Sequence, residues 1–359
     1  MLDQPINSSV EVVPLKWTEK NGEELKNYDC IIFFGMGLNF TEKQQEILSK
    51  LKKPIYTTAS TRKETALNTL TDEQLDKLQQ YLGGGKENFR RMLDFIRYDI
   101  DGKRINAPKP EPPKKLERRP FFHIAEEDSF KTYQEYLDWY KKTGRYKENA
   151  ATVCVLSGNG GGALEDLIGA LEQKGMNVVA ANGMWNLLRM FEEVRTDLVV
   201  YQPQGRLGEK AVELLKKYNV PLFCPIKVSQ PYGEYLRDQR GMTGGMLSQS
   251  VTMPELDGGA VPFVLSALYR NKRGLLEFRT IPDRLERFAE LVRKMTDLKR
   301  KPNSEKKIVI IYYKGPGKNA MNAGGIEVGD SLLNTLKHLQ KAGFTTGSLP
   351  ETPAELNRM

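Results

Sequence analysis

The sequence predicts an α/β protein of two or more doubly wound, mostly parallel sheets with flanking helices. Three observations carry that prediction. Four near-continuous apolar runs, at 152–156, 177–180, 197–201 and 220–224, alternate with amphipathic stretches at 163–174, 185–194 and 207–218. Runs that are apolar at every position suit strands buried on both faces, and helical crossovers between them make the strands parallel. The same alternation opens the chain at 30–57, and a strand, a glycine-rich loop and a helix follow one another again at 306–342.

Taken in order, the run Cys30-Ile31-Ile32-Phe33-Phe34 reads as a buried strand that ends at Gly35-Met36-Gly37. A helix over 41–52 follows, with Ile47 and Leu48 inward, and a second strand over 54–57. Thr71-Asp72-Glu73-Gln74 is a helix start, and Leu75, Leu78 and Leu82 form its apolar stripe. Gly83-Gly84-Gly85 ends that helix, and another covers 88–97. From 101 to 120 the prolines Pro108, Pro110, Pro112 and Pro113 among lysines demand extended chain and mark a boundary. Tyr133, Tyr136, Leu137 and Tyr140 then recur at helical spacing over 132–142, as a core stripe does.

After the central sheet come a strand over 275–279 and an amphipathic helix over 282–300, with Leu285, Phe288, Ala289, Val292 and Met295 on one face. The run 306–313 reads as a further strand and 331–342 as a helix with Leu332, Leu333, Leu336 and Leu339 inward. The implied organisation is an α/β and helical part over 1–105, a Pro-rich linker with an aromatic helix over 106–150, and a doubly wound part over 151–235. A second α/β part covers 236–359 and carries an acidic turn and a Gly/Asn loop.

Composition narrows the function. In 359 residues, 39% hydrophobic and 28% charged residues describe a globular chain, and no apolar run reaches the roughly 18 residues of a membrane helix. The first residues lack the basic-then-apolar order of a signal peptide, so a cytoplasmic location is expected. Cys30, Cys154 and Cys224 sit in or beside apolar runs, as reduced core thiols do. Only two histidines are present, too few for a dense zinc site. The net charge of +8 favours anionic ligands, but the basic residues are spread along helices without interleaved aromatics. Nucleic acid is therefore not expected, whereas a small molecule bearing carboxylates suits the charge.

Three polar loops could carry chemistry. Gly158-Asn159-Gly160-Gly161-Gly162 lies between a strand and its helix, where backbone amides can cradle an anion, although the spacing is not the dinucleotide fingerprint. Pro254-Glu255-Leu256-Asp257-Gly258-Gly259 places two carboxylates at i and i+2 ahead of a glycine pair. That arrangement fits oxygen ligands or proton acceptors, and fits a surface turn with a helix cap as well. In the loop at 314–325, Lys314 and Lys318 can meet carboxylates, while Asn319 and Asn322 can donate or accept without charge. His123, after two phenylalanines, fits either a ligand or a hydrogen-bonded structural histidine.

Several motifs in fixed order resemble the large subunit of cobalt and magnesium chelatases. They are Tyr81-Leu82-Gly83-Gly84 with Glu87-Asn88, then Phe122-His123, Tyr136-Leu137-Asp138-Trp139-Tyr140, Pro254-Glu255-Leu256-Asp257-Gly258, the Lys-Pro-Asn-Ser-Glu-Lys-Lys start at 301–307, the Pro-Gly-Lys-Asn loop and Leu349-Pro350-Glu351-Thr352. The resemblance spans about 75–355 and corresponds to an interior slice of a much longer subunit. It implies insertion of a divalent metal, cobalt or magnesium, into a corrin precursor or porphyrin, with ATP hydrolysed by separate AAA+ partner subunits. Residue by residue, it implies Glu255, Asp257 and His123 as catalytic groups, with Glu255 a metal relay or proton acceptor and His123 a metal ligand or pocket wall. Lys314, Lys318, Asn319 and Asn322 are implied to bind the tetrapyrrole. The chain departs from the family pattern at His123-Ile124, where His-Pro is common, and at Val261-Pro262, where the magnesium branch often has a glutamate. Two alternatives therefore stand beside metal insertion: a binding module that holds a tetrapyrrole or a partner without turnover, and a haem dechelatase-type relative that removes iron.

Overall fold

A computed structural model describes residues 9–34, 38–58, 67–82, 85–104, 108–114, 119–126, 129–157, 162–182, 186–202, 205–272, 274–311, 327–356 and 358. The chain divides into two compact units. The first comprises Met1–Arg119, Ser229–Arg237 and Leu268–Phe278, and the second comprises Pro120–Val228, Asp238–Ala267 and Arg279–Met359.

In the first unit, α1 (Trp17–Asn21) precedes β1 (Ile31–Phe34), α2 (Glu42–Ser49) and β2 (Ile55–Thr58). The two strands pair in parallel, Ile31 opposite Ile55, as the strand–helix–strand order requires. A reciprocal capping box between Thr41 and Gln44 starts α2, and Leu48 is its fully buried residue in a core with Ile31, Phe33 and Ile55. Next, α3 (Asp72–Leu82) opens on the same device, Thr71 with Gln74. It packs with α4 (Gly85–Phe95) around Leu78, Tyr81, Met92 and Phe95. The helix over 88–97 expected from sequence begins earlier and runs on through a π-turn at Ile96–Ile100.

The second unit begins with β3 (Phe121–Phe122) and α5 (Tyr133–Lys142), followed by β4 (Thr152–Ser157), α6 (Gly162–Gln173), β5 (Asn177–Asn182), α7 (Asn186–Glu193), β6 (Leu198–Tyr201), α8 (Glu209–Lys217) and β7 (Leu222–Phe223). Along the rest of the chain, of which residues 229–237 and 268–278 belong to the first unit, come β8 (Ile226–Pro231), α9 (Tyr232–Arg237), α10 (Gly244–Leu247), α11 (Met253–Leu256), β9 (Gly259–Ala260), β10 (Val264–Arg270), β11 (Leu276–Thr280), α12 (Pro282–Arg300), α13 (Val328–Lys341) and α14 (Pro353–Leu356). Strands β8, β10 and β11 form a three-stranded sheet of order β11-β10-β8.

The main sheet has the order β3-β5-β4-β6-β7-β9, with β3 antiparallel at one edge and the other pairs parallel. This is a doubly wound α/β arrangement. On one face, Leu167, Ile168 and Leu171 of α6 and Phe288, Ala289 and Val292 of α12 pack against Val153, Val155 and Val178. On the other, Met190, Phe191, Ala211 and Leu215 of α7 and α8 pack with the α5 tyrosines against Cys154, Leu156 and Val199. Burying one such aliphatic side chain is worth about 1.5–3 kcal/mol, so the two layers together fix the sheet. Because α6 and α8 lie on opposite faces, the winding reverses between β4 and β6. The carboxyl ends of those adjacent strands therefore flank the crevice where ligands of open α/β sheets bind.

One sequence expectation fails among the described residues. The run 306–311 forms no strand: Ile308, Val309, Ile310 and Ile311 are all exposed, Ile311 at 91%. An apolar run becomes a strand only where a neighbour accepts its ladder bonds. No backbone hydrogen bond joins 308–311 to the described chain.

Candidate functional site

The acidic turn is a helix end rather than a simple turn. Met253–Leu256 closes a continuous helical run that begins at Gly244 and contains a π-turn, Ser248–Thr252. Ser250 and Pro254 face inward, and Asp257 caps the end. The chain then leaves the helix through Gly258, whose φ of +82° no side chain adopts without strain. Gly259 follows at a close approach: a Cβ there would lie 2.7 Å from the Pro254 carbonyl oxygen and 2.8 Å from Cys224 Sγ. Val261, three residues after Gly258, also has positive φ, +58°, a strained conformation for a β-branched residue.

The two carboxylates of the turn have different fates. The Asp257 side chain is fully buried: Arg206 Nε donates to Oδ1 at 2.8 Å, with Nη2 of the same guanidinium at 2.8 Å in the ion pair, and the Leu207 N–H donates to Oδ2 at 2.5 Å. Charge-assisted bonds of this kind fix geometry, and here they fasten the turn to the loop that leaves the carboxyl end of β6. A second bond, from the Gly205 N–H to the Gln249 carbonyl, joins the same loop to the π-turn at 3.1 Å. Glu255, in contrast, is exposed, and its carboxylate has no hydrogen bond or ion pair with the described residues.

His123 lies elsewhere. Antiparallel pairing of Phe121 with Ala181 and Phe122 with Ala180 runs the chain toward the amino ends of the parallel strands, away from the loop that Asp257 holds. Its ring is buried, with Nδ1 accepting from the Ala125 N–H at 3.1 Å and Nε2 donating to Glu172 Oε1 at 3.0 Å. The Tyr140 hydroxyl donates to the same oxygen at 2.7 Å, and Arg145 reaches Oε2 at 3.1 Å. Burial disfavours the Glu172 charge, yet hydrogen bonds from His123 and Tyr140 and the nearby Arg145 hold its carboxyl below the ordinary value. Neither ring nitrogen of His123 is presented to a ligand in this arrangement, and the structure does not bring His123 together with Glu255 and Asp257.

Lys314, Lys318, Asn319 and Asn322 lie outside the described residues, as does the loop at 158–161. All three cysteines are free; burial pushes the Cys154 and Cys224 thiols up to about 12, so they behave as core groups. Among the described residues, no cluster of three or more His, Cys, Asp or Glu is placed to hold a metal ion, and no helix is long and apolar enough to cross a membrane.

Sequence reasoning missed Arg206 and Gln202. Arg206 is 42% exposed and supplies the cation of the buried pair. Gln202 immediately follows β6, and its buried Nε2 has no hydrogen-bond partner among the described residues. The available signal was positional, a polar loop directly after an apolar run. Choosing that loop over the others required the strand order.

Comparison with known proteins gives this geometry a family. The profile of the CobN/Magnesium Chelatase family matches residues 78–359. A magnesium-chelatase subunit of Chlorobaculum parvum is 25% identical over 269 residues, which cover 66% of this chain and 20% of that protein. The aerobic cobaltochelatase protein CobN of Pseudomonas aeruginosa is 30% identical over 132 residues, 34% of this chain and 11% of that one. An uncharacterised protein of Methanocaldococcus jannaschii is 25% identical over 325 residues, 80% of this chain and 26% of its own. The fold matches the catalytic subunit of cobaltochelatase from Mycobacterium tuberculosis with a TM-score of 0.66 at 17% identity, over 94% of this chain and 29% of that one. The chain thus spans about a quarter or less of the length of these curated relatives. With the family profile covering most of its length, the chain belongs to the CobN/magnesium chelatase family.

Proposed function

We propose that this chain is the tetrapyrrole-binding portion of an ATP-dependent metal chelatase large subunit, which inserts cobalt or magnesium into a corrin precursor or porphyrin. The observation that carries the reading is the division of labour in the acidic turn: Asp257 is spent on Arg206 and Leu207, while Glu255, two residues away, stays exposed and unpaired among the described residues. Insertion requires pyrrole protons to leave and the metal to shed water. An unpaired carboxylate on a fixed turn can accept the protons or ligate the metal in passing. A single carboxylate holds a divalent ion weakly, which suits a group that must pass it on. ATP hydrolysis belongs to AAA+ partner subunits in this reading, and Lys314, Lys318, Asn319 and Asn322 are proposed to meet the carboxylates and polar rim of the macrocycle.

The test is titration of the folded chain with a free-base porphyrin. Binding gives a saturable Soret-band shift with quenched tryptophan fluorescence, and a folded chain that leaves the Soret band unchanged removes the reading. A second reading, a module that holds the tetrapyrrole without turnover, draws on Val261, an apolar side chain where the magnesium branch often carries a glutamate. Glu255→Gln separates the two. Loss of metal exchange with partner subunits and ATP, with porphyrin binding retained, supports the enzyme; wild-type binding without exchange under the same conditions supports the module.

A further inference from the structure

We infer that Arg206 is a positioning residue for metal transfer: acting through Asp257, it fixes where the exposed Glu255 carboxylate stands. This rests on the reading of Glu255 as the group that relays metal or proton, and adds the residue that sets its place. Glu255 has no side-chain hydrogen bond or ion pair among the described residues, so its carboxylate takes its position from the backbone beneath it. That backbone is anchored from a distant part of the chain.

The anchoring can be followed bond by bond. The Asp257 N–H donates to the Pro254 carbonyl and the Gly258 N–H to the Glu255 carbonyl, each at 3.0 Å, which closes the last turn around Glu255. A shift of residue 257 is therefore passed to residue 255. The Asp257 carboxylate is in turn held through both oxygens by consecutive residues of one loop: Oδ1 accepts from Arg206 Nε at 2.8 Å and Oδ2 from the Leu207 N–H at 2.5 Å. With one of these bonds the carboxylate could pivot; with both its plane is fixed.

Of the two donors, Arg206 is the one that depends on residue type. The Leu207 donor is a backbone group that every residue except proline supplies, whereas the Arg206 guanidinium is the cation paired with Asp257. A fully buried carboxylate needs such a partner, because an uncompensated buried charge is costly. The loop has another tie to the run, from the Gly205 N–H to the Gln249 carbonyl at 3.1 Å, but it holds the π-turn and not the last turn. Placement of Glu255 is left to the Arg206–Asp257 pair. Lysine would restore the charge without the planar fork of nitrogens, so it should replace arginine only in part.

The test measures metal insertion into a free-base porphyrin by the full chain with partner subunits and ATP, reading kcat and KM for the porphyrin. It compares wild type, Arg206→Gln, Arg206→Lys and Arg240→Gln, a control at an arginine that is 85% exposed and pairs with Asp238 instead. Displacing a reacting group by about 1 Å can cost a hundredfold in rate, so Arg206→Gln should lower kcat per bound porphyrin about tenfold or more, with KM within about twofold of wild type. Arg206→Lys should fall between the two, and the control should equal wild type. In an Asp257→Asn background Arg206→Gln should cost less than about twofold more, because the carboxylate it holds is already gone. Wild-type kcat in Arg206→Gln overturns the inference. A loss of porphyrin-binding capacity that matches the loss of rate also overturns it, since that marks unfolding, and so does an undiminished cost in the Asp257→Asn background. Where Asp257→Asn does not fold, the order arginine, lysine, glutamine carries the test, and a lysine variant no faster than the glutamine one overturns the inference. Wild type that inserts no metal, or Glu255→Gln that inserts it at the wild-type rate, removes the reading of Glu255 beneath it as well.

Discussion

Replacing Asp257 with alanine should loosen the second unit by about 3 kcal/mol. The carboxylate is fully buried and accepts the Leu207 N–H at 2.5 Å, a bond to a charged group worth about 1.5–3 kcal/mol. Its pair with Arg206 contributes less, about 1 kcal/mol, because that guanidinium is 42% exposed and solvent screens it. Asp257→Asn keeps the shape but turns an amide N–H toward donors, so it should recover no more than about 1 kcal/mol of the loss. Global denaturation of a chain with two compact units need not be two-state. Native-state hydrogen exchange at β4 and β6 amides therefore measures the effect locally. An exchange free energy within about 0.5 kcal/mol of wild type in Asp257→Ala would refute the clamp.

Three further outcomes are expected. Gly259→Ala should cost about 1–3 kcal/mol by the same measurement, since its Cβ would meet Pro254 and Cys224 within 2.8 Å; no loss means that the turn has room to relax. His123→Ala should cost about 2–4 kcal/mol by removing a buried ring bonded to Glu172 and Ala125, and porphyrin affinity should stay unchanged where both proteins are folded; a binding defect there would restore His123 to the site. The folded Glu172 carboxyl is held below its unfolded value, so its contribution is present above about pH 4.5 and is lost as pH falls through the lowered folded value. Glu172→Gln should flatten that part of the acid profile, and an unchanged profile counts against it.

The main sheet was legible because its strands are apolar at every position and its helices show one inward stripe; Leu167, Ile168 and Leu171 advertise their face in the sequence alone. The run at 308–311 carries the same signal and yet stays exposed, since pattern states what a segment can bury but not whether a neighbour is there to bury it. The pair Glu255 and Asp257 was legible as acidic, but their opposite roles were not. That difference depends on Arg206 and Leu207, about fifty residues away, which only the strand order brings to the turn. His123 was legible as a candidate imidazole, and its partner Glu172 lies on α6 at a distance that no local spacing reveals.

Hydrogen exchange of the chain with and without a free-base porphyrin tests the central claim most directly. The claim is that the tetrapyrrole meets Glu255 on the turn that Asp257 holds to the loop at 205–207. New protection at 205–207 and 244–257, with 121–126 and the end of α6 unchanged, is the predicted result. Protection confined to the His123 and Glu172 region, or porphyrin binding that leaves 244–257 unprotected, would contradict it.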